Sequence, residues 1–261
     1  MKSKDTSWGK VADWYDGLIE ESPDSYQSKV ILPNLLRLID PKKGLAIADV
    51  ACGQGFFSRA FHEKGAIVVG CDISEELIKV AKERSSKEIK FIVKGAEVCS
   101  DDLLKVVEDR KLDTAVIVLA IQNIEKIADV FAECKKILKP DGKLFIVINH
   151  PAFRIPQASS WEWDGKIQRQ FRRIDSYMSD SQISIDMTPG EKKEVLKKKT
   201  ISFHRPLQSY FKALSKSGFV ISKLEEWISH KKSEEGPRAI EEDRTRKEIP
   251  LFMCIEARRA I

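Results

Sequence analysis

Across residues 45–149, short runs of consecutive apolar residues alternate with segments whose apolar positions recur every three or four residues. The runs 45–50, 66–71, 89–93, 112–119 and 143–149 are continuous rather than alternating, the pattern of strands buried on both faces. The intervening stretches read as helices: 56–64, closed by Gly65; 75–84, capped by Ser74; 101–108; and 125–138, which gathers Ile127, Val130, Phe131, Cys134 and Leu138 on one face. Pro140-Asp141-Gly142 marks a turn before the fifth strand. Such alternation predicts a parallel sheet covered on both faces. The right-handed crossover then leaves chiefly the doubly wound arrangements.

After Asn149 the alternation stops. Residues 150–200 are richer in Trp, Arg, Asp and Ser, alternate only locally at 182–187, and carry no apolar core of their own. They read as a lid inserted after the fifth strand. Helix and strands resume at 206–217, 219–227 and 250–258. The expected fold is α/β, a Rossmann-like, doubly wound, mostly parallel seven-stranded sheet. Its expected parts are a helical cap (1–40), a core (41–149), the lid (150–200) and the C-terminal part of the core sheet (201–261).

Composition narrows the class without changing this picture. Hydrophobic residues make up 42% and charged residues 33%, and the net charge is +5 from both signs in abundance. That balance is a mildly basic surface, not a nucleic-acid footprint, and the basic run 191–199 reads as a solvated segment. The five cysteines are scattered, with no C-x-x-C pair, which argues against a disulfide framework or zinc site and for a reducing compartment. MKSKDTSWGK has no apolar core of a signal peptide, and the longest apolar run, 115–121, is too short to span a bilayer. A cytoplasmic protein without membrane insertion is expected.

The most informative stretch is Asp49-Val50-Ala51-Cys52-Gly53-Gln54-Gly55. Gly53 and Gly55 let the backbone turn sharply after a strand, and the next helix offers its N-terminus to a ligand. Asp72, at the end of the second strand, can accept both hydroxyls of a ribose. A dinucleotide fingerprint needs a third glycine where Ser58 stands. Asp49 also sits badly beside a pyrophosphate, whereas it suits the sulfonium and ammonium of S-adenosylmethionine.

DVACGQG resembles the first motif of the class I S-adenosylmethionine-dependent methyltransferases, closest to their small-molecule, type-11-like subgroup. Cys71-Asp72-Ile73-Ser74 resembles their acidic second-strand motif. The fourth strand with Ala120-Ile121-Gln122-Asn123-Ile124, and Ile137-Leu138-Lys139-Pro140-Asp141-Gly142, resemble the stretches that follow. The resemblance implies that Asp49, Ala51, Gly53 and Gly55 hold the methionine part of S-adenosylmethionine. It places Asp72 on the ribose, Ile73, Ala96 and Glu97 around the adenine, and Ala120 and Gln122 beneath the sulfonium. Tyr15, in a Trp-Tyr-Asp segment, would cover the cofactor carboxylate. The family often has G-D-A-E after the third strand. Here Gly95-Ala96-Glu97 lacks that aspartate, so Glu97 or a carbonyl must serve the adenine.

Methyl transfer needs alignment of the acceptor and, where the acceptor carries a proton, a base. His150, directly after the fifth strand, and His204 are the candidate bases, with Tyr177 beside them as a candidate substrate contact. His150 reads equally well as a histidine that shapes the turn before Pro151. Trp161 and Trp163 read as anchors of the lid, and Arg172 and Arg173 as candidate substrate contacts. There is no N-P-P-Y, no Pro-Cys nucleophile and no acid at Ala120, which points to a small-molecule acceptor without a metal or nucleic acid. The product would be S-adenosylhomocysteine. The rival readings are an RNA- or protein-modifying methyltransferase, a non-catalytic S-adenosylmethionine-binding module and, last, a dehydrogenase. The oligomeric state is left open.

Overall fold

In the computed structural model, residues 24–187 and 199–260 are described. Seven strands form one sheet: β1 (Ala46–Val50), β2 (Ile67–Asp72), β3 (Lys90–Val93), β4 (Leu112–Val118), β5 (Leu138–Asn149), β10 (Phe219–Trp227) and β11 (Phe252–Arg259). Their spatial order is β10-β11-β5-β4-β1-β2-β3. The pairs from β3 through β5 are parallel, whereas β11 runs antiparallel to both its neighbours, β5 and β10. Four of the five expected core strands fall within a residue of their expected bounds. The exception is β5, which already begins at Leu138, but its pairing jumps from Leu112–Leu138 to Thr114–Lys143. The expected Pro140–Gly142 turn is the excursion inside that jump.

The chain is doubly wound because β1 and β4 are buried on both faces. Along β1, Ala46, Ala48 and Val50 face one apolar layer while Ile47 faces the other. The first layer is closed by α5 (Ile127–Ile137) through Val130, Phe131 and Cys134, and by α6 (Leu207–Lys216) through Tyr210 and Leu214. It also takes Leu103 of α4 (Ser100–Val106). The opposite layer is closed by α1 (Leu32–Ile39), α2 (Phe56–Glu63) and α3 (Glu75–Arg84), through Leu35, Phe61 and Ile78 respectively. All five cysteines are buried and free.

Between β5 and α6 lie two hairpins outside the main sheet. One pairs β6 (Ser159–Asp164) with β7 (Arg169–Ile174), the other β8 (Ser181–Asp186) with β9 (Lys199–His204). The strand β9 runs past Thr200, where the sequence reading ended the insertion. A helix that the sequence pattern does not reveal, α7 (Ala239–Glu248), packs on β7 through Thr245 Oγ1 and Gln170 Oε1 at 3.0 Å. Its sequence has no apolar stripe, and Ile240 is 90% exposed. No helix of the described residues is long and apolar enough to cross a membrane.

The turn between β2 and α3 rests on Ser74, whose Oγ accepts the Leu77 N–H at 3.2 Å and caps the helix. Replacing Ser74 by Ala is expected to lower stability by about 1 kcal/mol. A shifted urea midpoint at unchanged slope would register it, and an unshifted midpoint would show that the cap carries no weight.

Candidate functional site

The carboxyl ends of β1, β2 and β4 open into a cleft of about 300 Å³. Its floor is the turn after β1. Ala51 (φ 57°), Gly53 (φ 56°) and Gly55 (φ 82°) are all left-handed there. For Ala51 that conformation costs about 1–2 kcal/mol relative to a right-handed one. Leu119, which follows β4 and also lines the cleft, has φ 53°. Two strained non-glycine residues thus flank one cleft, which is where such strain collects when a site over-determines its backbone.

Two carboxyl groups bound the turn, both buried. Asp49 Oδ2 accepts from Ser58 Oγ at 2.6 Å. Burial raises its pKa to about 7, against the Ser58 bond, and the nearby Asp72 adds to the rise. Asp72 accepts the Gly53 N–H at 2.9 Å on one oxygen and the Ser74 N–H at 2.9 Å on the other. Desolvation again raises its pKa, although those backbone bonds oppose it. Asp72 therefore ties the glycine turn to the start of α3.

The other expected cofactor residues distribute as follows. Ala51, Gly53, Ile73, Ala96, Glu97 and Ala120 line the cleft with the two aspartates. Ile73 is 46% exposed, an apolar face left open at the rim. Gly55 lies below the lining, pressed against the core: a Cβ there would meet Phe91 Cζ at 3.0 Å and Ala81 Cβ at 3.3 Å. Gln122 also stands outside the lining. Its Nε2 donates to the Leu119 carbonyl at 2.8 Å, and its buried Oε1 has no partner among the described residues. Tyr15 lies outside the described residues.

The sequence reading missed several cleft residues. Gln54 is buried in the lining, and its Oε1 accepts from Arg59 Nη2 at 2.7 Å. That bond fixes the amide so that Nε2, unpartnered among the described residues, is a free donor. Phe56 and Phe57 open the next helix, while Ile201 and Phe203 enter from β9. Those last two lie 80 and 82 residues beyond Ile121, so no local signal marks them. The turn at Ile121–Asn123 meets β9 in space.

The candidate catalytic residues lie apart from this lining. In His150, Nδ1 accepts the N–H groups of Ala152 and Phe153 at 3.2 and 3.3 Å. Its Nε2 then carries the proton and donates to Glu226 Oε1 at 2.7 Å. Both ring nitrogens are engaged in shaping the turn, and burial lowers the pKa despite Glu226. His204 is buried, and its Nε2 donates to the Tyr177 carbonyl at 2.8 Å. The Tyr177 hydroxyl accepts the Leu207 N–H at 3.0 Å, so the pair joins the second hairpin to α6. Among the lid aromatics, Arg172 stacks on Trp161 and Arg238 on Trp163, with Cζ 5.2 and 4.7 Å from the ring centroids.

Chemically, the cleft offers an apolar slot with two desolvated carboxyl groups and a free amide donor at one end. It fits S-adenosylmethionine: carboxylates for a cationic sulfonium, ammonium and ribose, an amide N–H for a carboxylate, and Ile73 for a flat base.

The methyltransferase domain model matches residues 48–146. The ubiquinone biosynthesis O-methyltransferase of Coxiella burnetii is 29% identical over 139 residues, 51% of this chain and 55% of its own length. The mitochondrial ubiquinone biosynthesis O-methyltransferase of Bos taurus is 34% identical over 125 residues, covering 44% of this chain and 33% of its own. The chain thus spans from about a third to little more than half of the length of these curated relatives. An S-adenosylmethionine-dependent methyltransferase from Mesorhizobium loti, 24% identical, shares the fold with a TM-score of 0.63 over 87% of this chain and 96% of its own.

Proposed function

We propose that the chain is a class I S-adenosylmethionine-dependent methyltransferase that methylates a small-molecule acceptor at oxygen, nitrogen or carbon, a reading supported by the methyltransferase domain match over residues 48–146 and the shared fold. The observation that carries this reading is the pair of buried carboxyl groups, Asp49 and Asp72, at the ends of one glycine turn. A pyrophosphate would be repelled there, whereas a ligand with fixed positive charge is attracted.

Bound S-adenosylmethionine supplies a methyl carbon activated by positive sulfur. The chain's own residues bind, orient and exclude water. Asp49 and the Gln54 amide face the methionine portion, and Asp72 takes the ribose hydroxyls. Ile73, Ala96 and Glu97 enclose the adenine, with Glu97 in place of the missing aspartate. Gly55 and Gln122 act from beneath, by shaping the turn and the strand end. Tyr15 stays in the proposal as a cover for the cofactor carboxylate.

The acceptor side of the cleft is walled by Ile124, Ile201 and Phe203, with Asn123 and Glu125 as its polar groups. An apolar wall with few polar atoms suits a small ring-bearing acceptor. The two named relatives act as O-methyltransferases in ubiquinone biosynthesis, which favours oxygen as the methylated atom. Glu125 is the lining residue able to hold a proton released by a hydroxyl on that side. His150, His204 and Tyr177 position the turn and the second hairpin around it, and residues 150–200 serve as the lid.

Titration of S-adenosylmethionine and S-adenosylhomocysteine into wild type and Asp72→Ala tests the cofactor reading. Wild type is expected to bind with micromolar affinity, about −8 kcal/mol. The variant should lose at least about tenfold, or about 1.4 kcal/mol. Failure of the wild type to bind either compound would defeat the proposal. Binding without transfer to any phenolic acceptor would favour the non-catalytic module.

A further inference from the structure

A second cavity, of about 490 Å³, shares no lining residue with the cofactor cleft. It lies where the chain leaves β5 and β10 and enters β11, against the β6–β7 hairpin. Among the described residues, four cationic side chains line it, Arg154, Arg172, Lys231 and Arg246, and no carboxylate does. Two of these charges are already balanced. Lys231 pairs with Asp24, and Arg246 Nη2 stands 4.0 Å from Glu242 Oε2.

The other two are not. Arg172 spends its N–H groups on neutral acceptors, the Phe153 carbonyl and Ser159 Oγ, each at 2.7 Å. The Arg154 guanidinium has no hydrogen-bond or ion-pair partner among the described residues, and its Cζ lies 6.0 Å from the Phe252 ring centroid. Its exposed surface faces the cavity, yet packing around it desolvates the guanidinium and lowers its pKa. Desolvation, then the charge of Arg154, does the same to Arg172. Two guanidinium groups without a counter-charge raise the local positive potential, which attracts an anion. The remaining lining is mostly apolar, with Tyr26, Phe153, Trp161, Ile249, Pro250 and Leu251, and includes the Ser229 hydroxyl, which is hydrogen-bonded to Tyr26.

We propose that this cavity is a binding site for an organic phosphate, a dianionic phosphate monoester carried on an apolar or aromatic body. The charge count sets the dianion, since two cations lack a counter-charge. Guanidinium forks match phosphate oxygens in geometry. The aromatic and proline wall holds the body, and the Trp161–Arg172 stack places an indole reporter beside it. The site stands independently of the methyl-transfer reading, because its residues and its ligand chemistry are its own.

The test is titration of 1-naphthyl phosphate, inorganic phosphate and 1-naphthoate into the full chain, followed by calorimetry and by tryptophan fluorescence. The aryl phosphate is expected to bind at least tenfold more tightly than either fragment-like control and to weaken as salt is raised. Arg154→Met should weaken it tenfold or more while leaving S-adenosylmethionine affinity unchanged. Arg246→Gln should weaken it less, because that charge is already balanced by Glu242. The apo Arg154→Met protein is expected to melt no lower than wild type, since the substitution removes a repulsion and no partner. No binding of the aryl phosphate, or equal binding by a folded Arg154→Met protein, overturns the proposal. Equal affinity for naphthoate overturns the phosphate assignment.

Discussion

Lowering the pH from 7 to 5 is expected to weaken S-adenosylmethionine binding by about fiftyfold, since each unit well below a controlling pKa costs about 1.36 kcal/mol and the group is already half protonated at pH 7. The controlling group is Asp49, whose pKa burial raises to about 7 in the free protein. A cationic ligand beside it favours the carboxylate, so the pKa in the complex lies lower. As pH falls through 7 the free protein takes up a proton that binding must expel, and affinity drops with unit slope. Asp72, also raised by desolvation, steepens the fall at the acid end. Above 7 Asp49 is already ionised and the dependence flattens. Calorimetry in buffers of different ionisation enthalpy should record proton release that grows towards one per cofactor as pH drops below 7. Asp49→Asn should bind more weakly at pH 7 and lose the unit slope. Constant wild-type affinity from pH 5 to 7 would falsify the placement of Asp49 beside the cation.

The same shift has a sign for stability. The folded pKa of Asp49 lies above the ordinary aspartate value of 3.8, so the proton favours the folded apo protein. That contribution is complete below about 4 and disappears as pH rises through about 7. Cofactor reverses the trend by favouring the ionised form.

Gly55→Ala is expected to cost about 2–4 kcal/mol of folding stability, the sum of left-handed strain and overpacking. The strain follows from φ 82°, and the overpacking from Phe91 and Ala81, which a Cβ would meet at 3.0 and 3.3 Å. Gly44→Ala is the matched control: its φ is 88°, but nothing lies within 4 Å of the added carbon. It should lose only the strain, about 1–2 kcal/mol. Urea unfolding of both variants separates the two effects. Equal losses would show that the fit against Phe91 contributes nothing. A Gly55 variant that remains folded should also bind S-adenosylmethionine more weakly, because the same turn presents Gly53 and Gln54 to the cleft.

The sequence alone determined the parallel half of this protein. Strands such as β1 and β4, buried on both faces, must be written as unbroken apolar runs, and the helices between them must be striped. Both periodicities are local, so they are legible without the fold. The turn after β1 is equally local: a strand, an acid, two glycines and a helix start leave little choice of backbone, and Asp72 follows one unit later. Those constraints place eight of the expected cofactor residues, from Asp49 to Ala120, around one cleft.

Tertiary structure decided everything that depends on which surfaces meet. The antiparallel entry of β11 between β5 and β10 follows from pairing across more than a hundred residues, for which the apolar pattern carries no direction. Helix α7 carries no stripe because Thr245 is its one buried residue and most of the others are only partly covered. His150 could have been a base or a turn residue until Glu226, on a distant strand, engaged its second nitrogen. Ile201 and Phe203 reach the cleft only because β9 pairs with β8 and passes the turn after β4. In the sequence, Arg154, Lys231 and Arg246 look like ordinary surface cations, and Arg172 stands only as a candidate substrate contact. Only the closing of β10, β11 and the first hairpin over one another gathers them, because charge is summed in space and not along the chain.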